Sequence, residues 1–377
     1  MSGRNDLSEL NLTDNLFEWY SYKGNYDDVV VSTRARLVRN LADFPFPQKI
    51  KTEDAVRVQT LVFDAFSKKA DFYQTNSIPS LMTLGFNLFM ERGMIKESVN
   101  NAPAGGIVQC LDGNKSNMGF IATVNDRDHI RISCTNAGLD IEGAYKKCHE
   151  VDLELQQYLQ FAASTEYGYL TSNIKDSGTG LKLSAMVHLP STAFLEQLPT
   201  LVEALQKKNI ELKYGFGPNS DSKSGFSAGT FFIASTTISS IGNEAEQRTL
   251  FAEAINFIIQ TELENRRIII ENHMTRAKDI IFKCFAGTKI GYLCTRGEAL
   301  SIVSGLRWGL NLGLFNNLTY HQIMSIYYRV QDAKLKFILS NGKFSFPQDI
   351  ANDRALQEQY MRMKLIRNTF EHIQVCE

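Results

Sequence analysis

Four cations stand on segments whose composition is that of strands. The run VVVSTRARLVRN (29–40) carries Arg34 and Arg36 two residues apart among β-branched neighbours, with Arg39 following. Side chains at i and i+2 of a strand leave the same face, so Arg34 and Arg36 can grip one anion together or coat a solvated sheet face. VNDRDHIRI (124–132) adds Arg131 after an acidic turn, and SNIKDSGTGLKLSAMVHLP (172–190) leads through Gly-Thr-Gly to Lys182. A further loop, KYGFGPNSDSKSG (213–225), is polar and glycine-rich enough to move and to close over a ligand. Guanidinium and ammonium groups on separate strands can clamp a polyphosphate through charge-assisted and bidentate hydrogen bonds. No GxxxxGK followed by Ser or Thr is present, so the pattern is not that of a P-loop.

The elements that must position these cations read as mixed α and β up to about residue 245. Short β-rich runs, MGFIATV (118–124), HIRISCT (129–135), LSAMVHLP (183–190) and GTFFIASTTISSIG (229–242), are separated by Gly, Asn, Asp and Ser. Between them, residues 141–164 repeat apolar side chains at three and four, the period of a helix. Irregular spacing of strands and helices favours α+β over a doubly wound sheet. From Glu244 the pattern becomes helical, with helices expected over 244–270, 274–286, 295–315, 319–339 and 353–373. The expected organisation is an extension over 1–27, an α+β domain over 28–245 and an all-helical domain over 246–377.

Composition narrows the function classes. The chain has 377 residues, 44% hydrophobic and 21% charged, enough for a sizeable core and two domains. A formal net charge of −1 provides no overall field for nucleic acid or an anionic membrane surface, so an anion site has to be local. The N-terminus has no signal-type apolar core, and no apolar run reaches the roughly 18 residues of a membrane span. A cytoplasmic address is expected. Six cysteines without a CxxC pair read as reduced thiols rather than a zinc site or disulfide framework. Cys148, His149 and Glu150 are adjacent within the helical pattern and so do not face one another, which argues for a packed thiol. His188 reads as structural, and the aromatics of 86–93 and 325–330 read as core.

In combination the motifs resemble a known family. STRAR-x-x-R-N-L with the following P-F-P, then N-x-x-D-H-x-R, G-Y-L-T-S, G-T-G-L and H-L-P, are similar in order and spacing to the ATP:guanidino phosphotransferases. The similarity runs from about residue 28 to 242 and is closest to the bacterial protein-arginine kinase branch, in which a helical domain follows the catalytic one. The resemblance implies an antiparallel sheet flanked by helices, and ATP or ADP with Mg²⁺ as cofactor. Arg34, Arg36 and Arg131 are implied as phosphate-binding, with Lys182 where the family has another arginine and His129 as a residue lining the nucleotide pocket. A lysine keeps the charge of that arginine and loses its planar fork.

Phosphoryl transfer needs positioning and charge neutralisation more than covalent help, so fixed cations can supply much of it. The acceptor guanidinium, with pKa above about 12, must be oriented and relieved of a proton, which the family does with paired carboxylates. On that side the chain departs from its relatives. Arg127 stands where the family has a catalytic Glu, beside Asp126. Asp221 matches the other catalytic Glu but is one methylene shorter, and Asn173 stands at the reactive cysteine. These substitutions lead to the expectation of a nucleotide-binding pseudokinase or regulator in which Arg127 fills the acceptor site and pairs with Asp221. The alternatives are an active kinase for protein arginine using Asp126 or Asp221, and a kinase for a small guanidino compound. In the C-terminal domain Arg362 alone survives from the branch's phosphoarginine-binding motif, with Glu358 nearby, and a surface helix arginine is the competing reading. The resemblance further implies a homodimer, a zinc-binding activator protein and a Clp-type unfoldase as partners.

Overall fold

The β-branched run carrying Arg34 and Arg36 forms β1 (Val30–Arg39), a ten-residue strand in the middle of an eight-stranded antiparallel sheet. A computed structural model of the chain describes residues 19–100, 102–110, 118–215 and 229–376. After β1 come α1 (Thr52–Ser67), β2 (Tyr73–Ser77), α2 (Met82–Glu91), β3 (Gly106–Cys110), β4 (Met118–Val124), β5 (Ile130–Ala137) and α3 (Ile141–Gln156). Next are the short ladder of β6 (Ala163–Ser164) and β7 (Gly168–Tyr169), then β8 (Leu181–His188), α4 (Pro190–Phe194), α5 (Leu198–Gln206), β9 (Ile210–Tyr214) and β10 (Phe231–Thr236). The remainder is α6 (Glu244–Ile268), α7 (Met274–Ile290), α8 (Arg296–Asn311), β11 (Phe315–Asn316), α9 (Tyr320–Arg329), α10 (Asp332–Asn341), α11 (Arg354–Thr369) and β12 (Gln374–Val375). The architecture is α+β followed by a helical part, as expected.

Strand order in the large sheet is β2-β3-β4-β5-β1-β8-β10-β9, so β1 pairs with β5 on one side and β8 on the other. Period-two alternation gives the sheet one apolar face, where Ala35, Leu37, Ile132, Cys134, Leu183 and Ala185 pack into a core shared with α1, α3 and α6. The polar residues between them form the opposite face. A second core joins α7 to α11 with Trp19, Tyr20 and Phe231.

Several boundaries differ from the sequence expectation. The composition changes at residue 245, but α6 packs Phe251, Ile255 and Ile258, all fully buried, against the sheet. The core changes one helix later, at the π-turn Ile269–His273 that joins α6 to α7. The single helix expected over 319–339 is two helices, because the chain turns extended at Gln331 (ψ 155°). The carbonyl of Val330 at this break accepts from Arg362 Nε at 2.8 Å, a partner 32 residues away that local periodicity cannot register. The helix expected over 141–164 also stops early, at Gln156.

Candidate functional site

Alternation on three neighbouring strands brings the predicted cations to one face. Arg36 lies opposite Lys182 on β8 and Ser133 on β5, Arg34 opposite Ser184 and Thr135, and Arg131 opposite Val38 on β1 and Thr123 on β4. Arg39, five residues from Arg34, leaves the other face. There it is fully buried, with Nη2 donating to Asp152 at 2.8 Å and its guanidinium carbon 3.5 Å from the Tyr169 ring centroid. One motif thus divides its arginines between the polar face and the core.

The four cations are held differently. Arg34 donates to the carbonyls of Gly93 (2.8 Å) and Met94 (3.5 Å) at the end of α2. Arg131 is fixed by two carboxylates, Nη1 donating to Asp126 at 2.8 Å and Nη2 to Asp128 at 3.4 Å. Lys182 Nζ stands 4.0 Å from Glu211, with its pKa lowered by burial and by Arg36. The Arg36 guanidinium makes no hydrogen bond among the described residues; its nearest carboxylate is Asp176 at 4.0 Å, and its Nε is buried without a partner. Burial and the repulsion of Arg131 push its pKa from the ordinary 12.5 down to about 9. Beside Arg34 a cavity of about 220 Å³ opens against Trp19, Met186, Ile233 and Tyr328.

Buried cations without enough anions are costly unless a ligand compensates them. The unpartnered Nε atoms of Arg36 and Arg131, both on this face, fit a group with several anionic oxygens. Among the described residues no cluster of three or more His, Cys, Asp or Glu could hold a metal ion.

The turn between β4 and β5 supplies the second half of the site. Asn125 adopts φ 53°, which Asn tolerates, and its side chain donates to the carbonyls of Ala55 and Ala104. This turn buries Asp126 and Asp128 while leaving Arg127 exposed. Asp126 accepts from Ser98 Oγ at 2.6 Å as well as from Arg131. Asp128 accepts from Asn40 Nδ2 and the Ser172 amide as well as from Arg131. Arg127 therefore does not occupy a buried acceptor pocket: a desolvated guanidinium beside Arg131 would meet like charge, and in solvent it does not. Asp221, its expected partner, lies outside the described residues, as does the loop from 216 to 228.

His129 differs from its expected role in lining the nucleotide pocket. It is fully buried, its Nδ1 accepts from the Leu41 amide at 3.0 Å, and Nε2 faces the Pro45 carbonyl at 3.1 Å. Both ring nitrogens are occupied by backbone, and burial lowers the pKa to about 4, so the ring is a neutral strut for the segment after β1. Asn173 caps the short 3-10 turn Ile174–Asp176, accepting from the Lys175 amide and donating to Asp176 at 3.3 Å. It thereby holds the carboxylate that faces Arg36. The Gly-Thr-Gly turn before Lys182 needs its glycines, since Gly178 and Gly180 adopt φ 96° and 67°, and a Cβ at Gly180 would lie 2.6 Å from Arg39.

Other expectations resolve as packing. Arg362 is neither a surface helix arginine nor open to a phosphate: it is 3% exposed, and it donates to the carbonyls of Val330 and Cys294 and to Asp332. His188 is buried against Ser304. Cys148 directs Sγ to the Ala35 carbonyl while His149 stacks on Tyr145. Sequence reasoning missed Lys96, whose pKa falls to about 8 through partial burial and the repulsion of Arg36 and Arg131. It also missed the carboxylate Glu211 and the Ser98 hydroxyl. Lys96 follows α2 in a loop without periodicity, and nothing local marks it.

The family described as ATP:guanido phosphotransferase, C-terminal catalytic domain, matches residues 57–265, more than half of the 377 residues. The chain belongs to the ATP:guanido phosphotransferase family. Its similarity to a protein-arginine kinase of Clostridium kluyveri is 26% identity over 353 residues, covering 93% of this chain and 98% of the relative. A protein-arginine kinase of Syntrophomonas wolfei is 26% identical over 341 residues, covering 88% of this chain and 91% of the relative. Among solved structures, lombricine kinase matches with a TM-score of 0.53 at 17% identity, over 63% of this chain and 67% of that one. The duplicated taurocyamine kinase of Schistosoma mansoni matches with a TM-score of 0.56 at 18% identity, over 72% of this chain and 40% of that one. These two share the fold.

Proposed function

We propose that this ATP:guanido phosphotransferase homologue binds the phosphates of ADP or ATP on its cationic sheet face and is weakened or inactive in phosphoryl transfer. Arg36 carries the reading: it is a buried guanidinium among like charges, without a hydrogen bond among the described residues. Arg36, Arg131 and Lys182 would hold the phosphate oxygens, and Arg34 would reach them beside its contacts to α2. Mg²⁺ would arrive with the nucleotide and neutralise charge developing between the phosphates. Weak transfer is supported by the acceptor side. Arg127 is exposed, Asn173 is engaged with Asp176, and both oxygens of Asp126 accept hydrogen bonds. A substrate guanidinium would have to compete with Arg131 for that carboxylate.

A regulatory role in a complex goes with this reading, and the partners are those implied by the resemblance: a second copy, a zinc-binding activator and a Clp-type unfoldase in the cytoplasm. Among the described residues no helix is long and apolar enough to cross a membrane. The second reading, an active kinase for protein arginine, draws on the names of the curated relatives and on Asp126, a carboxylate side chain held at the site by Arg131 and Ser98. Calorimetric titration with Mg·ADP tests the binding half. Wild type should bind, and Lys182→Ala should weaken binding by about tenfold or more, the loss of one phosphate contact. Equal affinity for wild type and the variant would remove the cationic face from the account.

A further inference from the structure

A second cavity lies away from the cationic face, between the segment after Trp19 and helices α8 and α9. We infer that it is a separate binding site for a small aromatic monocarboxylate. Its volume is about 540 Å³, within the range of small-molecule pockets. Val31, Leu310 and Met324 give it apolar walls, and Tyr20, Tyr22 and Tyr320 add three aromatic rings, an environment for a flat apolar body.

The charges at its edge select the head group. Lys23, Arg307 and Asp27 line the cavity, two cations to one carboxylate, with His321 as a further nitrogen. Arg307 is 1% exposed; it donates to the Asp27 carbonyl and lies 4.7 Å from the Tyr320 ring centroid, and its Nε has no partner among the described residues. Burial pushes its pKa down to about 10, against the pull of Tyr320, Asp27 and Asp28. Burial pushes the Asp27 carboxyl up, against the pull of Arg307 and Lys23. One surplus positive charge suits one negative charge. A polyphosphate would bring several and meet Asp27, and a cationic ligand would meet Arg307 and Lys23.

The cavity is distinct from the phosphate face. Tyr20, in its wall, stacks on Tyr328 at 4.7 Å, and Tyr328 with Trp19 lines the smaller cavity beside Arg34. This aromatic partition separates the two.

The test is fluorescence titration of the full chain with 1-pyrenebutyrate, beside its uncharged analogue 1-pyrenebutanol, with and without saturating Mg·ADP. The acid should bind about tenfold or more tightly than the alcohol, the discrimination expected of a partly desolvated charge. Lys23→Glu should remove that difference while leaving the alcohol's affinity unchanged. Leu310→Trp, which fills the cavity from its half-buried rim, should abolish binding of both. Mg·ADP should displace neither. Equal affinity for acid and alcohol, insensitivity to Lys23→Glu, or displacement by Mg·ADP would each overturn the assignment. Unchanged melting temperatures of both variants establish that the effects are local.

Discussion

Replacing Arg36 by methionine should make the ligand-free protein more stable and remove its response to nucleotide. The charged guanidinium is disfavoured by burial and by Arg131, which lowers its pKa from 12.5 to about 9. That drop of about 3.5 units corresponds to at most ~5 kcal/mol at about 1.36 kcal/mol per unit. Some of this returns when Asp176, 4.0 Å away, loses its counter-charge, an opposing cost of about 1–3 kcal/mol. The net expected gain is at most about 2–4 kcal/mol for Arg36→Met. Urea unfolding at pH 7, with and without Mg·ADP, measures both effects. At a hundredfold excess over Kd, nucleotide should stabilise wild type by about 2.7 kcal/mol, and the variant by far less. A variant that is less stable without ligand yet keeps the full Mg·ADP response would refute the reasoning, because Arg36 would then be a structural ion-pair partner.

Three further outcomes are expected. His129, held neutral with a pKa of about 4 against an ordinary 6.5, should make the protein lose stability as pH falls from 6.5 towards 4. The unfolded chain takes the proton first, and the limit is ~3 kcal/mol; His129→Gln should flatten that limb of the pH–stability curve. Asp128→Ala should cost about 3 kcal/mol in chemical denaturation, since it leaves Arg131, Asn40 and the Ser172 amide short of an acceptor, and it should also weaken Mg·ADP binding. Arg362→Ala should lower thermal stability by about 2–4 kcal/mol by stranding the Val330 and Cys294 carbonyls and Asp332, without changing Mg·ADP affinity; a selective loss of nucleotide binding would reveal a signalling role instead.

What was legible in the sequence follows the range of each interaction. Period two placed Arg34, Arg36, Arg131 and Lys182 on strands, and pairing of β1 with β5 and β8 put them on one face. The same parity distinguishes Arg39, whose burial against Asp152 and Tyr169 depends on α3 and β7. Residues that the motif alone marks as functional resolved differently once tertiary partners were visible. His129 is closed by two backbone groups, and Asn173 by its own turn. Arg127 is exposed because the 125–129 turn buries its two acidic neighbours under Arg131. The helix break at Gln331 depends on Arg362, and Lys96 reaches the site through packing of α2, so neither leaves a periodic trace.

The most direct measurement is a single-turnover assay with γ-labelled Mg·ATP, scoring acid-labile phosphate on the chain itself and on an arginine-rich protein, with Mg·ATP binding followed in parallel. The account predicts bound nucleotide and transfer near background for wild type, with Arg127→Glu raising transfer by returning a carboxylate to the turn beside Asp126. Efficient transfer to arginine by wild type would contradict it, and would make Asp126 or Asp221 a sufficient base.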